Sequence, residues 1–549
     1  MRCRSERYIS VSMLRLTEIK LPLDHAEDAL RQAIIKRLAL KAGDLRSFSI
    51  FRRGYDARKA GDIMLVYTVD LDVADEAAVL KRAKKDRHLS PTPDLSYRFA
   101  AHAPENLTTR PVVIGLGPCG LFAGLVLAQM GFRPIILERG KIVRERTVDT
   151  FAFWRKRELN TDSNVQFGEG GAGTFSDGKL HSGVKDPVRS RKVLEEFVKA
   201  GAPEEILFVS KPHIGTFRLV SMVESMRATI QALGGEIRFK TKVTDLDLDA
   251  EHRVRGVVLD NGEHIATNHV VLAVGHSARE TFSMLYDRGV FIEAKPFSIG
   301  VRIEHPQSII DKARFGKHAG NPLLGAADYK LVHHASNGRD VYSFCMCPGG
   351  TVVAATSEAG RVVTNGMSQY SRAERNANSG IVVGITPEDY PGHPLAGIAF
   401  QRHWEERAYA AGGGTYSAPG QRVGDFLAGK PTTVFGDVTS SYRPGVHPTD
   451  LSQCLPDFAV AAIREALPVF AKQIPGYAMD DAVMTAVESR TSAPIRIKRD
   501  EAFQSLNTPG LFPAGEGAGY AGGILSAGID GIKVAEAVGK SMTNRGGLL

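Results

Sequence analysis

Three glycines and one glutamate near residue 115 have the types and spacing of a dinucleotide-binding motif. The segment Gly115-x-Gly117-x-x-Gly120 follows the apolar run 112–114 and precedes a longer apolar segment, and Glu138 ends a second short apolar run. In a strand–helix–strand unit, the first glycine permits a tight turn, the second lets a pyrophosphate approach the backbone, and the third lets the helix pack on the strand. Free N–H groups at the helix N-terminus bind the phosphates. A carboxylate at Glu138 can accept hydrogen bonds from both hydroxyls of an adenosine ribose.

Further glycine-rich segments could approach the same ligand. The loop 168–179 has four glycines within residues 168–173, so it cannot form a stable helix or strand interior, and it brings backbone N–H groups close to something flat or anionic. A buried strand ends in Ala273-x-Gly275. Near the C-terminus a short apolar strand, 511–514, is followed by a glycine–glutamate pair and then by a helix.

These motifs indicate one dinucleotide-binding domain that is interrupted in sequence. Residues 110–280 form its first part and residues 486–549 its C-terminal part. Between them, residues 281–485 give mixed strand-like segments separated by loops rich in Gly, Pro and Asn. We interpret this stretch as an inserted mixed α+β domain that serves as a substrate or cap domain.

The N-terminal residues 1–95 are predicted to form a separate small α/β domain. Strand, helix, strand, strand and helix patterns follow one another, which favours a ferredoxin-like sandwich. Asp24 is placed to cap the first helix, predicted over residues 24–40. Residues 96–109 contain a proline and are typical of a linker. The sequence of this domain does not indicate its role.

Composition narrows the class of protein. The 549 residues are 43% hydrophobic and 24% charged, as in ordinary globular proteins, and five widely spread cysteines indicate a reducing, cytoplasmic setting. Residues 112–132 are 21 uncharged residues, enough to span a membrane, but five glycines and a proline favour a phosphate loop and no membrane span is expected. The net charge is +8, of which +6 lies within residues 1–100. A solvated basic surface explains this better than a nucleic-acid partner, although that alternative stays open.

Four of these segments together resemble the FAD-binding half of the glutathione-reductase-fold flavoproteins. The resemblance narrows to the bacterial family called FAD-dependent dehydrogenases, through the small N-terminal domain and motifs along nearly the whole chain. These motifs are Arg53-x-x-Asp56-Ala-Arg58, NVQFGEGGAGTFSDGKL, PFSIGVRIEHPQ, SFCMCPGG, GDVTSSYRPG and ESRTSAPIRI. The resemblance implies a flavin redox enzyme without implying its substrate.

The resemblance also implies which residues hold a non-covalent FAD. Glu516 stands where the related flavoproteins have an aspartate that binds the ribitol chain, and the helix after it would face the pyrimidine side of the flavin ring. Val243 lies on the strand that usually contacts adenine. The full set is Gly115, Gly117, Pro118, Cys119, Gly120, Glu138, Arg139, Gly170, Gly171, Gly173, Thr174, Val243, Ala273, Gly275, Gly515, Glu516, Gly522, Gly523 and Ile524.

Catalytic residues are less well indicated. Cys345-x-Cys347 could be a redox pair near the flavin or two structural thiols. Lys179 and Arg490 could each place a positive charge near the flavin. Arg302 could line a substrate pocket or form a surface ion pair with Glu304 two residues later. His333-His334 lacks a third ligand at metal-binding spacing, so no metal site is expected.

We therefore predict an FAD-dependent oxidoreductase that transfers a hydride or electron pair through flavin N5 to or from a small molecule. NADH or NADPH is a possible donor, although residues 141–549 contain no second dinucleotide fingerprint after a strand. A flavin monooxygenase, an RNA-binding or RNA-modifying flavoprotein that uses the basic N-terminal domain, and a flavin-binding scaffold without turnover stay open. The oligomeric state is not indicated.

Overall fold

A computed structural model describes residues 13–41, 43–59, 61–180 and 183–543 of the chain. The N-terminal part, up to residue 91, contains a four-stranded antiparallel sheet in the order β2-β3-β1-β4 with two helices. Its elements are β1 (Leu14–Pro22), α1 (Ala29–Leu38), β2 (Leu45–Asp56), β3 (Met64–Val73), α2 (Glu76–Arg82) and β4 (Leu89–Pro91).

Two details of this N-terminal part differ from the sequence-based prediction. The first helix begins at Ala29 with Asp28 at its N-cap, so Asp24 is not the capping residue. A fourth strand, β4, pairs with the start of β1 and was not predicted. It spans only Leu89–Pro91, too short for its hydrophobic pattern to stand out.

The segment from residue 112 to residue 287 builds most of a five-stranded parallel sheet and a three-stranded antiparallel sheet, β10-β9-β8. A 3₁₀ helix over Ala172–Phe175 lies within the glycine-rich loop. The elements are β5 (Val112–Ile114), α3 (Pro118–Gln129), β6 (Ile135–Leu137), α4 (Val143–Lys156), α5 (Pro187–Lys199), α6 (Thr216–Ala232), β7 (Glu236–Arg238), β8 (Val243–Leu248), β9 (Val254–Leu259), β10 (His264–Ala266), β11 (Val270–Leu272) and α7 (Arg279–Asp287).

The rest of the chain adds the large antiparallel sheet and then returns to the parallel one. Its elements are β12 (Ile292–Ala294), β13 (Phe297–Pro306), α8 (Gln307–Phe315), β14 (Val332–His334), β15 (Asp340–Ala354), β16 (Thr364–Met367), β17 (Asn376–Ile385), α9 (Ala396–Ala411), β18 (Ala418–Arg422), α10 (Val423–Ala428), β19 (Val446–Pro448), α11 (Asp457–Gln473), β20 (Val483–Glu488), β21 (Ile495–Ile497), β22 (Leu511–Pro513) and α12 (Ile524–Thr543).

The parallel sheet has the strand order β22-β11-β5-β6-β7. Because the chain runs outward from β5 to β6 and β7, and later adds β11 and β22 on the other side, the direction of winding reverses between β5 and β11. Ligands of open α/β sheets bind beyond the carboxyl ends of the strands at such a reversal. The motif loop Gly115–Gly117 follows β5 at this point.

Helices α3 and α12 pack closely over this edge of the sheet. An added Cβ at Gly531 of α12 would lie 2.2 Å from the carbonyl oxygen of Cys119 in α3, so only glycine permits the observed approach. Ten of the twelve residues of α3 are buried, which explains why its sequence is almost uniformly apolar. The close contact fixes the two helix N-termini beside each other.

The large sheet has eight strands, ordered β14-β15-β17-β13-β20-β18-β19 with β16 paired to β15. Nine of the ten residues of its central strand β13 are buried, because both faces of the strand are covered. Strand β20 continues to Glu488 and pairs with β13, so this sheet extends beyond residue 485. Within the described residues, no helix is both long and apolar enough to cross a membrane.

Candidate functional site

The glycines of the first motif have separate geometric roles. Gly115 has a φ of +96°, and a Cβ there would lie 2.4 Å from the carbonyl oxygen of Ala273. A Cβ at Gly120 would lie 1.9 Å from the carbonyl oxygen of Gly115, so the packing of α3 on β5 excludes any side chain. A Cβ at Gly117 would meet Gly171 Cα at 3.7 Å, an ordinary contact. Gly115 and Gly120 are therefore required by the fold, whereas Gly117 leaves space that a ligand can use.

The N-terminus of α3 is suited to an anion. Its N-cap is Gly117, which offers no capping side chain, and the first turn contains no acidic residue. The backbone N–H groups of the first turn therefore have no side-chain acceptor from this helix, and the helix dipole adds positive potential at this end, where Gly117, Pro118 and Cys119 line a cavity. This is the arrangement that binds a pyrophosphate.

Glu138 is held by the backbone of three loops. Its carboxylate is 5% exposed and accepts N–H hydrogen bonds from Leu116 at 2.9 Å, Gly140 at 2.9 Å and Gly168 at 3.0 Å. A carboxylate has about four lone-pair sites, so about one is left for a ligand. Glu138 thus joins the motif loop to the glycine-rich loop, and it has room for about one ribose hydroxyl rather than the two expected.

The glycine-rich loop lies between the N-termini of α3 and α12. A Cβ at Gly171 would lie 2.8 Å from Gly117 Cα, and a Cβ at Gly173 would lie 3.1 Å from the Ile524 side chain. Gly171 and Gly173 line the cavity described below. Gly170 and Thr174 do not line it: a Cβ at Gly170 would collide with the Thr174 hydroxyl, which donates to the Glu169 carbonyl at 3.4 Å. Gly170 and Thr174 therefore stabilise the conformation of the loop on the side that faces away from the cavity.

The C-terminal motif places a second carboxyl group, that of Glu516, after the edge strand β22. It lies at the same carboxyl edge of the parallel sheet as Glu138, which follows β6. Gly515 has a φ of +71° and donates its N–H to Asp530 at 2.7 Å, which leaves the half-buried Glu516 facing the cavity. Loss of water around this carboxyl raises the pKa of Glu516 to about 7, and the nearby Lys295 ammonium opposes the rise. Glu516 can therefore accept or donate a hydrogen bond near neutral pH. Helix α12 follows without an acidic residue in its first turn.

A single cavity of about 710 Å³ connects these features. It crosses the carboxyl edge of the parallel sheet from Glu138, beyond β6, to Glu516, beyond β22, and continues to the large sheet. Its volume lies within the range of about 300–1,000 Å³ that is typical of ligand sites. The predicted cofactor residues that line it are Gly115, Gly117, Pro118, Cys119, Glu138, Arg139, Gly171, Gly173, Val243, Ala273, Gly275, Glu516, Gly522, Gly523 and Ile524.

Arg139 lines the cavity, but its charge has partners. Its guanidinium pairs with Asp162 at 2.5 Å and with Glu280 at 3.2 Å, and it lies over the Phe167 ring at 4.1 Å from the centroid. Only 11% of the side chain is exposed. The guanidinium is therefore fixed as a wall of the cavity near Glu138.

Of the catalytic candidates, Lys179, Cys345 and Arg490 line the cavity. Lys179 donates to the carbonyl of Met346 and lies 3.7 Å from the Asp177 carboxylate. Burial lowers the pKa of this lysine, but negative charge at the nearby Cys347 and Cys345 sulfurs and at the Asp177 carboxylate outweighs it and raises the pKa overall. Lys179 is therefore positively charged.

Arg490 belongs to a buried ion cluster that the sequence did not indicate. Its guanidinium donates to Glu405 at 3.1 Å and to Ser277 at 3.1 Å, and Arg279 donates to the same Glu405 carboxylate at 2.8 Å. The two arginines hold the pKa of Glu405 far below its usual range despite burial. Next to this cluster His276 lines the cavity, and burial and the two guanidinium groups lower its pKa to about 3, so the ring is neutral. Its position directly after Gly275 was the one indication in the sequence.

Arg302 and Cys347 lie behind the cavity wall. Arg302 is fully buried and forms a two-pronged ion pair with Glu488 at 2.9 Å, while Glu304 accepts hydrogen bonds from Ser440 and Ser441. A surface ion pair between Arg302 and Glu304 is therefore wrong. The side chains of Arg302 and Glu304 are both buried because β13 is the central strand of the large sheet and its faces are covered.

The N-terminal sheet packs near the far end of the cavity. The Arg53 backbone exchanges hydrogen bonds with Phe208 at 2.7 Å and Ser210 at 2.9 Å. The Tyr55 ring meets the Phe315 ring edge-on at 5.8 Å. Phe315 follows Arg314, which lines the cavity. The N-terminal part thus supports this wall, although none of its described residues lines the cavity.

The sequence matches three family models. Residues 296–491 match "FAD-dependent protein, C-terminal domain-like", residues 189–393 match "FAD dependent oxidoreductase", and residues 13–72 match a domain of unknown function. An uncharacterised protein of Clostridium beijerinckii is 46% identical over 525 residues, covering 95% of this chain and 98% of the relative. The chain belongs to this family of FAD-dependent dehydrogenases. It is an FAD-dependent oxidoreductase.

Two solved structures illustrate what this FAD-dependent dehydrogenase is similar to in structure, both at low sequence identity. A geranylgeranyl bacteriochlorophyll reductase-like protein from Thermoplasma acidophilum is 13% identical, with a TM-score of 0.36, covering 80% of this chain and 79% of that one. The FAD-bound glycerol-3-phosphate dehydrogenase from Bacillus halodurans is 14% identical, with a TM-score of 0.34, covering 80% of this chain and 65% of that one.

Proposed function

We propose that the cavity holds FAD in an extended form, with the adenosine near Glu138 and Val243 and the flavin ring beside the N-terminus of α12. One observation carries this proposal: the same cavity crosses the carboxyl edge of the parallel sheet and then reaches the large sheet. A dinucleotide fills the first part, and the second part is left for a substrate. This arrangement is that of a dehydrogenase or reductase acting on a small molecule.

The residues at the sheet edge bind and orient the cofactor. The N–H groups of Cys119 and Gly120 bind the pyrophosphate, and Gly117 leaves it room. Glu138 accepts one ribose hydroxyl, and Glu516 hydrogen bonds to the ribitol chain in either protonation state. The N-terminus of α12 faces the pyrimidine side of the ring and favours negative charge there. FAD bound in this way supplies two-electron redox chemistry.

The large sheet forms the substrate side. Phe344 and Leu331 provide apolar wall, Asn365 and Tyr329 provide polar groups, and the charged Lys179 lies among them. We assign residues 110–280 and 489–549 to the FAD-binding domain and residues 281–488 to the inserted substrate domain, three residues beyond the boundary expected from the sequence, because β20 pairs within the large sheet up to Glu488. Because residues 141–549 contain no second dinucleotide-binding motif after a strand, a nicotinamide donor reaches the flavin from this substrate side.

The topology supports two finer assignments. The sheet order β22-β11-β5-β6-β7, with Glu138 after β6 and the glycine–glutamate pair after β22, supports a glutathione-reductase-type cofactor domain. The order β2-β3-β1-β4 with α1 and α2 supports a ferredoxin-like N-terminal domain. We propose that this domain supports the cavity wall through Tyr55 rather than binding nucleic acid.

The test is replacement of Gly117 by valine. The isopropyl group would occupy the space proposed for the pyrophosphate, so the purified variant should lack FAD, whereas the parent protein should release FAD on acid precipitation. Gly384→Val is the matched control, because Gly384 lies on β17 away from the cavity and an added Cβ there meets no described heavy atom within 4 Å. Equal flavin content in both variants, measured by absorbance and chromatography, would contradict the proposed position.

A further inference from the structure

The wall of the cavity opposite the parallel sheet contains two thiols that the proposed function does not use. Cys345 and Cys347 lie on β15, and both are free thiols. Cys345 is partly exposed and lines the cavity, whereas Cys347 is fully buried directly behind it. The pair therefore has one member that faces the cavity and one that does not.

An irregularity in β15 contains these two cysteines. Phe344 pairs with Gly380 of β17 and Cys347 pairs with Asn378, so three steps on β15 match two on β17. The extra residue forms a β-bulge, and Cys345 adopts a φ of +44°, which is unusual for any residue with a side chain. The Cys347 thiol donates to the carbonyl of Cys345 at 3.4 Å. Bulges and strained residues of this kind concentrate at functional sites.

Two cations surround the bulge. Arg302 donates to the carbonyl of Cys345 at 2.9 Å, and Lys179 donates to the carbonyl of Met346 between the two cysteines. Once Cys345 loses its proton, the Cys347 S–H can donate to the Cys345 sulfur instead of to the carbonyl. This hydrogen bond and the charges of Lys179 and Arg302 lower the pKa of the Cys345 thiol, against the effect of burial, while the pKa of Cys347 is raised. The thiolate is the reactive form of cysteine, and it is favoured at the position that faces the cavity.

We propose that Cys345 and Cys347 are a redox-active dithiol that exchanges two electrons with the bound FAD. The proposal rests on the flavin position argued above, because Glu516, which borders that position, lines the same cavity as Cys345. When the dithiol is oxidised, both S–H bonds break, an S–S bond forms between the two Sγ atoms, and two electrons and two protons pass to oxidised FAD. In reverse, the S–S bond takes two electrons and two protons from reduced FAD. The oxidised enzyme can therefore store a second electron pair.

The first test counts electrons. The purified holoenzyme, treated with diamide and freed of it, is titrated anaerobically with dithionite while the flavin absorbance is followed. The expected uptake is about four electrons per FAD in the parent protein, two for the flavin and two for the disulfide, and about two in Cys345→Ser and Cys347→Ser. Cys454→Ala is the control and should keep the parental value, because Cys454 is buried outside the cavity and burial raises its pKa to about 12.

The second test does not depend on the flavin. Trypsin should release residues 340–361 as one peptide that contains Cys345, Cys347 and no other cysteine. After diamide treatment, the mass of this peptide should fall by two hydrogen atoms and it should resist alkylation, whereas reduction should restore two alkylation sites. This measurement needs only the parent protein, so it does not depend on whether the variants fold.

The outcomes separate the two proposals. A protein that contains no FAD would overturn the proposed function. A protein that contains FAD but takes up about two electrons after oxidation, with both cysteines still open to alkylation, would overturn the dithiol and leave the flavin site in place. A disulfide that forms in the peptide while the flavin still takes up only two electrons would also overturn it, because the pair would then not communicate with FAD.

Discussion

The two sheets that enclose the cavity present different chemistry to it. The parallel sheet offers glycine backbone and two helix N-termini, with Glu138 tied to three N–H groups. The large sheet and the helices beside it are instead backed by buried ion pairs just behind the cavity wall, such as Arg302 with Glu488 and Arg279 with Glu405. On the cofactor side, backbone groups would therefore contact the charged dinucleotide. On the substrate side, charged side chains that pair with one another elsewhere in the protein hold the cavity wall in place.

The largest effect that would sharpen this contrast is expected at Glu405. Glu405→Gln would leave the buried guanidinium groups of Arg279 and Arg490 with Glu358 as their remaining carboxylate partner, and removing one partner of a buried ion cluster costs about 3–5 kcal/mol in unfolding free energy. Glu406→Gln is the matched control, since its ion pair with Arg361 is more than half exposed on the glutamate side and is worth about 0–1 kcal/mol. Urea unfolding of both variants measures the difference. Similar losses would mean that the cluster does not stabilise the substrate side.

The next effect concerns Glu516, the carboxyl that follows β22 and faces the cavity. The folded-state pKa of Glu516 is raised from its ordinary 4.5 to about 7, so the folded state binds the proton more tightly and stability from this group is lost as pH rises between these values. At about 1.4 kcal/mol per pKa unit, the loss above pH 7 is about 3 kcal/mol. Glu516→Gln should therefore stabilise the flavin-free protein by about this amount at pH 8 and little at pH 4.

Thermal or urea unfolding of parent and Glu516→Gln protein at pH 4 and pH 8 measures this effect. Glu138→Gln serves as a comparison, because its carboxylate accepts three N–H hydrogen bonds and the amide cannot accept all of them, so this change should destabilise at both pH values. A Glu516→Gln gain that is the same at both pH values would show that its carboxyl does not titrate differently in the folded state.

The sequence could predict the cofactor side of the cavity, which is formed by the parallel sheet, better than the substrate side, which is formed by the large sheet. Gly115, Gly117 and Gly120 act within one short segment, so their spacing alone indicates the turn, the open space and the close packing. Arg302 finds its partner 186 residues later, at Glu488, and nothing in the spacing of β13 indicates it. Residue patterns describe local geometry, whereas buried charges are satisfied across the fold. The β-bulge that contains Cys345 is likewise set by the pairing of β15 with β17.

A smaller effect should separate the glycines of the phosphate loop. Gly120→Ala would press a methyl group against the carbonyl of Gly115, 1.9 Å away, and should lower the unfolding free energy of the protein by about 1–3 kcal/mol. Gly117→Ala meets only an ordinary contact and should keep its stability without flavin while FAD binds more weakly. Unfolding curves and flavin titrations of both variants test this. If Gly117→Ala destabilised the protein as much as Gly120→Ala, Gly117 would be a structural glycine rather than a ligand contact.

The smallest effect on cofactor binding is expected from removing the N-terminal part. No described residue before 114 lines the cavity, so a chain starting at residue 93 should bind FAD with the parental occupancy. The removal should instead expose Phe315, which is 1% exposed in the full chain and packs against Tyr55. Without Tyr55 its ring would be in contact with water. The truncated protein should therefore aggregate more readily, and a Phe315→Ser change in it should restore solubility without altering the flavin content. Size-exclusion chromatography with absorbance at the flavin band measures both quantities at once. If the truncated chain folded and stayed soluble but lost FAD, the N-terminal sheet would be part of the cofactor site. Cofactor binding would then depend on three sheets and not on the parallel sheet alone.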